Sequence, residues 1–293
     1  MRFSRLGLFI IILTTVILGS NCAYYDRIMG RKNLVDGANA YKNRKFQEAE
    51  ALFREAVSRD PEGATTEGKA AQLFLARTIH SEYIGSRKET GKAEEAIREY
   101  QKALKVDPKD QSSFKAVANL YENLGQDDQW LKWVTERANN EQIPNEQRSE
   151  ALTSLAAKKN SCANDISDTE ATKKTVTKDG KQVFEFVKPA NPADFDKLKQ
   201  CAREGVELSG KAVELDPNSD SAWSYQTSLL VQNMRAAEME GDKKTAEEFK
   251  AKSDVAKEKF TALAEARRKK EQEEAERKKA EEEAAAATAN KKK

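Results

Sequence analysis

The chain has 293 residues, 38% hydrophobic and 34% charged, a composition suited to thin layers of helix rather than one thick core. Lys and Arg number 51 against 49 for Asp and Glu, a near-balance that excludes the basic face by which a domain grips nucleic acid. His80 is the single histidine, which excludes multi-histidine metal centres and leaves a histidine-based triad with one base and no nucleophile at a matching spacing.

Taken in order, Arg2 and Arg5 precede an apolar run over residues 6–19, LGLFIIILTTVILG, and Cys22 follows. A basic start before such a run is an export signal. The arrangement resembles a bacterial lipoprotein signal peptide, which makes residues 1–22 a leader and Cys22 the acylated first residue of the mature chain. An uncleaved anchor over about residues 6–25 is the alternative, close to the roughly 20 residues a span requires. Both leave the rest of the chain on the periplasmic side, since the arginines stay inside. By the lipoprotein sorting pattern, Ala23 after the cysteine implies the outer membrane.

Residues 33–61 read as two short amphipathic helices. Leu34, Gly37, Ala38 and Tyr41 mark the first; Phe46, Ala49, Phe53, Ala56 and Val57 mark the second, at steps of three and four. Gly37, Ala49 and Ala56 let the pair approach closely while Tyr41 and Phe53 fill the space beside them. Asp60-Pro61 ends the second helix, because the residue before proline is disfavoured in helical geometry. Such a pair cannot hide its apolar stripe alone and should recur. Leu75, Ala76 and Ile79 are followed by Ala96, Tyr100 and Ala103, closed by Val106-Asp107-Pro108. Phe114, Val117, Ala118 and Tyr121 are followed by Trp130, Leu131 and Val134. Ala151, Leu155 and Ala156 are answered by Leu198, Gly205 and Ala212, closed by Leu215-Asp216-Pro217. Trp223, Leu229, Leu230 and Met234 open the last pair, whose second helix starts near Lys243.

This pattern resembles the tetratricopeptide repeat (TPR) over about residues 33–260. The resemblance implies an all-α, TPR-like solenoid of helical hairpins at about residues 30–61, 69–108, 111–140, 149–217 and 220–260. The second pair exceeds the usual repeat length around residues 83–91, so a longer inter-helix loop is expected there. The fourth is split by KTVTKDGKQVFEFV, residues 174–187, where Asp179-Gly180 between β-prone residues signals a hairpin. Asn191-Pro192 then starts the second helix as N-cap and first helical residue. Val183, Phe184, Phe186 and Val187 exceed what a free ribbon hides; the hairpin either packs on the repeats or offers an edge to a partner strand. Residues 261–293 form a charged Ala/Glu/Lys helix or a disordered tail, with Glu273–Arg277 and Glu274–Lys278 in the favourable order for ion pairing.

If Cys22 carries lipid, Cys162 and Cys201 remain as an even pair in an oxidising compartment. The repeat register sets both beside a helix-to-helix turn, which implies a disulfide at the base of the insertion; two buried free thiols are the alternative. Residues 85–93 lack the spacing and the terminal Ser or Thr of a phosphate loop, and no CxxC occurs.

What remains is surface recognition. The TPR resemblance implies a concave groove lined by the first helix of each pair: Ala38, Tyr41 and Lys42; Arg77, His80 and Ser81; Lys115, Asn119 and Glu122; Ser224 and Ser228. Lys115 and Asn119 match half of the family's carboxylate clamp, but Ser154 and Ser221 stand at the partner positions. The expectation is a non-enzymatic protein–protein interaction scaffold, membrane-tethered in the cell envelope, that binds a peptide or helix in its groove with no cofactor and no nucleic acid. An accessory lipoprotein of a pilus, secretion or outer-membrane assembly machine is the nearest alternative. An enzyme with a repeat domain attached is the alternative from another class.

Overall fold

A computed structural model describes the backbone of residues 5–178 and 180–290 and the side chains of residues 24–177 and 180–283. The acylation site expected at Cys22 and most of the expected leader therefore lie outside the described side chains. Among the described residues no helix is long and apolar enough to cross a membrane. The fold is all-α and TPR-like. Its helices are α1 (Arg5–Lys42), α2 (Phe46–Arg59), α3 (Thr66–Gly85), α4 (Thr90–Val106), α5 (Gln111–Asn123), α6 (Asp127–Asn139), α7 (Asn145–Ser167), α8 (Pro192–Leu215), α9 (Asp220–Glu240) and α10 (Lys243–Asn290). A hairpin of β1 (Lys173–Lys178) and β2 (Lys181–Phe186) is inserted between α7 and α8. The chain divides into two compact lobes, Met1–Trp130 and Leu131–Lys293.

In the first lobe, Gly37 sets how closely α1 and α2 approach. A Cβ there would lie 2.8 Å from Cε1 of Phe53, so only glycine admits that ring, which is fully buried. Phe53 stacks on Phe74 of α3 with centroids 5.6 Å apart. Asp60 ends α2 and starts α3: its carboxylate accepts from the Ala64 and Thr65 amides and the Thr65 hydroxyl, and Thr65 in turn caps the Gly68 amide. The longer loop expected around residues 83–91 is not formed. Helix α3 continues to Gly85 because Tyr83 is buried and extends the stripe of Leu75 and Ile79, leaving only residues 86–89 between α3 and α4.

In the second lobe, a Cβ on Gly205 would lie 2.3 Å from Cδ2 of Leu229, so glycine again fixes a close helix approach, here of α8 on α9. Cys162 and Cys201 are bridged, with Cα atoms 6.1 Å apart. The bridge does not flank a turn: α7 runs on from Cys162 to Ser167, so it staples the bodies of α7 and α8. The extra turn is held by Ile166, packed against the core of Ala163, Phe195, Leu198, Cys201, Ala236 and Met239, and by buried Ser167, whose hydroxyl donates to Gln232 at 2.9 Å.

The hairpin pairs Val176 with Val183 and Thr175 with Phe184, and turns through Gly180 at φ +74°. Asp179 lies outside the described residues. Only the base of the hairpin packs. Phe186 reaches the core and lies 4.2 Å beneath the Arg235 guanidinium, while Phe184 is 61% exposed. Helix α10 lays Ala246, Ser253, Ala256 and Ala264 inward, and an Arg267–Asp220 pair at 2.9 Å ties it to the start of α9. Residues 265–283 are exposed. The second helix of the last pair and the charged tail are thus one helix. Its ion pairs run Arg267–Glu271, Lys269–Glu273, Arg277–Glu281 and Lys279–Glu283, base before acid, instead of Glu273–Arg277 and Glu274–Lys278.

The bridge closes a sequence separation of 39 residues, and on the chain-entropy account it stabilises by about 4 kcal/mol. The Cys162→Ser/Cys201→Ser chain should lose up to that amount in denaturant titrations followed by Trp223 fluorescence, and dithiothreitol should soften the parent but not the variant.

Candidate functional site

The faces of α1, α3 and α5 in the first lobe are linked by polar side chains. Tyr41 lies edge-on to Phe46 and Phe74, with centroids 5.5 and 6.3 Å away, and its hydroxyl is 3.1 Å from Ser81 Oγ. Ser81 Oγ donates to the Arg77 carbonyl at 2.9 Å, so Tyr41 is the donor in their contact. The Arg77 guanidinium lies 5.7 Å from the Phe74 ring centroid and donates to Ser112 Oγ at 3.1 Å. Tyr41, Arg77 and Ser81 thus form one half-buried seam from α1 across α3 to α5. Lys115, Asn119 and Glu122 are exposed on α5 at helical steps of four and three. On α1, Ala38 is half-buried and Lys42 exposed.

His80 is engaged elsewhere. Its Nδ1 is 3.2 Å from the Tyr100 hydroxyl on α4, with the rings edge to face at 5.8 Å. Burial holds the imidazole below its ordinary value and pushes the Tyr100 phenol up, so both groups favour their neutral forms, and the imidazole tautomer sets which one donates. Ser224 and Ser228 lie on α9 of the second lobe, both half-buried.

Beside the seam, and shared with it at Ser81, is a pocket of about 610 Å³ between the α1–α2 and α3–α4 turns, lined by Lys45, Phe46, Glu50, Ser81, Glu82 and Lys92 among others. Lys92 Nζ lies 2.9 Å from Glu50 and 2.7 Å from Glu82, and Arg54 bonds both Glu50 and Glu95. Burial alone would raise Glu50, but hydrogen bonds from Lys92 and Arg54 outweigh it and hold that carboxyl below its usual range. Glu82 is raised by burial and by the neighbouring Glu50. Lys92 is raised, the two carboxylates outweighing its desolvation. Glu82 Oε1 is buried without a hydrogen-bond partner. The network ties α2, α3 and α4 together, and sequence reading missed it because its members come from three helices with no local signature. Among the described residues no His, Cys, Asp and Glu group could hold a metal ion.

Residues 87–110, which comprise α4 and its Asp107-Pro108 exit, match the family model of the tetratricopeptide repeat. Over those residues the chain is similar to a tetratricopeptide repeat. No curated protein matches the sequence. Solved structures similar to it include YrrB, a TPR protein with an unusual peptide-binding site (12% identity, TM-score 0.38, covering 80% of this chain and 90% of that one). PilF of Pseudomonas aeruginosa is 13% identical, with TM-score 0.35 and coverage of 76% and 90%. A TPR protein of Parabacteroides merdae is 14% identical, with TM-score 0.36 and coverage of 80% and 99%. The TPR assignment rests on the matched residues and the helical hairpins, not on these superpositions.

Lys92→Met would leave Glu50 and Glu82 side by side without their shared cation, and should cost about 1–3 kcal/mol in urea melts. As the single histidine, His80 gives one imidazole Cε1–H resonance, which should titrate below about 6.5. Because the unfolded chain takes up that proton first, His80's contribution to stability is present above about pH 6.5 and lost progressively as pH falls from there through the lower folded-state value.

Proposed function

We propose that this protein is a non-enzymatic, membrane-tethered scaffold of the cell envelope that holds an extended peptide or a partner helix against the α1, α3 and α5 face. The observation that carries this reading is the Tyr41–Ser81 and Arg77–Ser112 seam. It fixes an aromatic ring and a guanidinium on a half-buried surface before any partner arrives, and pre-set anchors of these types lower the ordering cost of binding. Lys115, Asn119 and Glu122 supply adaptable polar contacts along the same face. The non-enzymatic reading is supported by His80, the one imidazole, being engaged with Tyr100. The basic start and apolar run of residues 2–19, with Cys22 behind them, support export and tethering on the periplasmic side of the outer membrane. A TPR class of protein makes protein–protein interaction the coarse assignment, and the repeat itself supports it.

Crosslinking in intact envelopes, followed by pull-down, tests the face. The Tyr41→Ala/Lys115→Glu chain should lose its crosslinked partner by tenfold or more in yield, the equivalent of about 1.4 kcal/mol, while folding as the parent does by circular dichroism. Unchanged partners in the double variant would refute the reading.

A further inference from the structure

Tyr24, Tyr25 and Ile28 on α1 are 68%, 55% and 48% exposed. Ile28 is four residues from Tyr24 and three from Tyr25, so the three share one side of the helix. Arg27, Arg31 and Lys32 are exposed around them. The nearest acid does not cancel that charge, because Asp26 already accepts from Arg59 at 2.6 Å. The same Arg59 guanidinium lies 5.5 Å from the Tyr25 ring centroid, which fixes this turn of α1 to the end of α2. In sequence the patch follows the apolar run of residues 6–19 after Ser20, Asn21, Cys22 and Ala23. A monomeric soluble surface rarely gathers two tyrosines and an isoleucine in a single helical turn. Tyrosine is enriched at both bilayer interfaces, and interfacial Tyr, Lys and Arg side chains anchor a helix there.

We infer that residues 24–32 are a lipid-facing collar, with Tyr24, Tyr25 and Ile28 at the acyl–headgroup boundary and Arg27, Arg31 and Lys32 on the phosphates of anionic phospholipids. The inference deepens the tethered reading and rests on it. At 1.5 Å per residue the collar spans about 12 Å along the helix, enough to cross a headgroup layer of roughly 5–8 Å and bring Lys32 to its aqueous edge. The charge complementarity selects an anionic surface over a neutral one. Either maturation route gives the same collar, since an acylated Cys22 and an uncleaved anchor both deliver Tyr24 to the interface. The Asp26–Arg59–Tyr25 contact then makes the collar part of the first helical hairpin rather than the end of a loose linker.

The test is vesicle flotation of the full chain, with hydroxyl-radical footprinting of the floated protein by mass spectrometry. Vesicles of phosphatidylcholine alone are compared with vesicles that also hold phosphatidylglycerol. Tyr24, Tyr25 and Ile28 should oxidise severalfold more slowly on the anionic vesicles, whereas Val35, 52% exposed further along α1, should oxidise as it does without lipid. The Arg27→Gln/Arg31→Gln/Lys32→Gln chain should float equally well but lose the anionic-lipid gain in protection. Floating without protection of the three residues would overturn the collar and leave the tether standing; failure to float would overturn both. Protection that extends to Val35, or that arises without lipid as protein concentration rises, would assign the patch to a protein partner or a second copy and overturn the collar.

Discussion

Phe53 lies flat on Phe74 because Gly37 carries no Cβ to hold the ring away from α1. One missing methyl group therefore permits two contacts, α1 on α2 and α2 on α3. Burial of an aromatic of this size is worth roughly 1.5–3 kcal/mol, and here the ring is wholly buried between elements that would separate without it. Gly205 under Leu229 applies the same constraint to α8 and α9. In each lobe a glycine thus sets the distance at which two helices bury their apolar residues. Polar chemistry handles the exits. Asp60, Asp107 and Asp216 each end a helix before proline, and each carboxylate takes up loop amides that would otherwise stand unpaired.

The fold was legible in the sequence wherever one helix carried its own stripe. Helix α2 shows Ala49, Phe53 and Ala56 at helical steps, and α4 shows Ala96, Tyr100 and Ala103; both are buried where the spacing puts them. The hairpin was legible because Asp179-Gly180 is local turn chemistry; the cysteine pair was read from the repeat register, on the condition that Cys22 carries lipid, and the bridge forms although the turn expected beside it does not. Lengths were harder. Tyr83 and Ile166 each extend a helix beyond the family register, and their effect depends on neighbours distant in sequence. The order of ion pairs on α10 was misjudged because exposed side chains choose among partners differing by a few tenths of a kcal/mol. The Glu50–Glu82–Lys92 network was invisible for a related reason: as sequence, each member is an ordinary surface charge.

Among the groove positions, Tyr41, Arg77 and Ser81 are joined by contacts that a repeat register cannot foresee, since Tyr41 donates to Ser81 and Arg77 reaches Ser112. His80 sits at a neighbouring register position but is directed to Tyr100, so the register describes a helix side and not the use of each side chain. The seam and the charged pocket meet at Ser81. Next to the seam, Glu50 and Glu82 share Lys92 at 2.9 and 2.7 Å, so the aromatic and the charged contacts occupy one neighbourhood of the first lobe.

Helix α10 keeps helical geometry to Asn290 although, among the described residues, its last buried one is Ala264. Beyond the Arg267–Asp220 pair, no described residue of α10 up to residue 283 is buried. Insertion or deletion of whole turns there would change how far the arm reaches, by about 5.4 Å each, without moving a buried atom. The arm is therefore the part of this chain whose dimensions evolution or an engineer can adjust most freely, a ruler attached to a fold that does not depend on its markings.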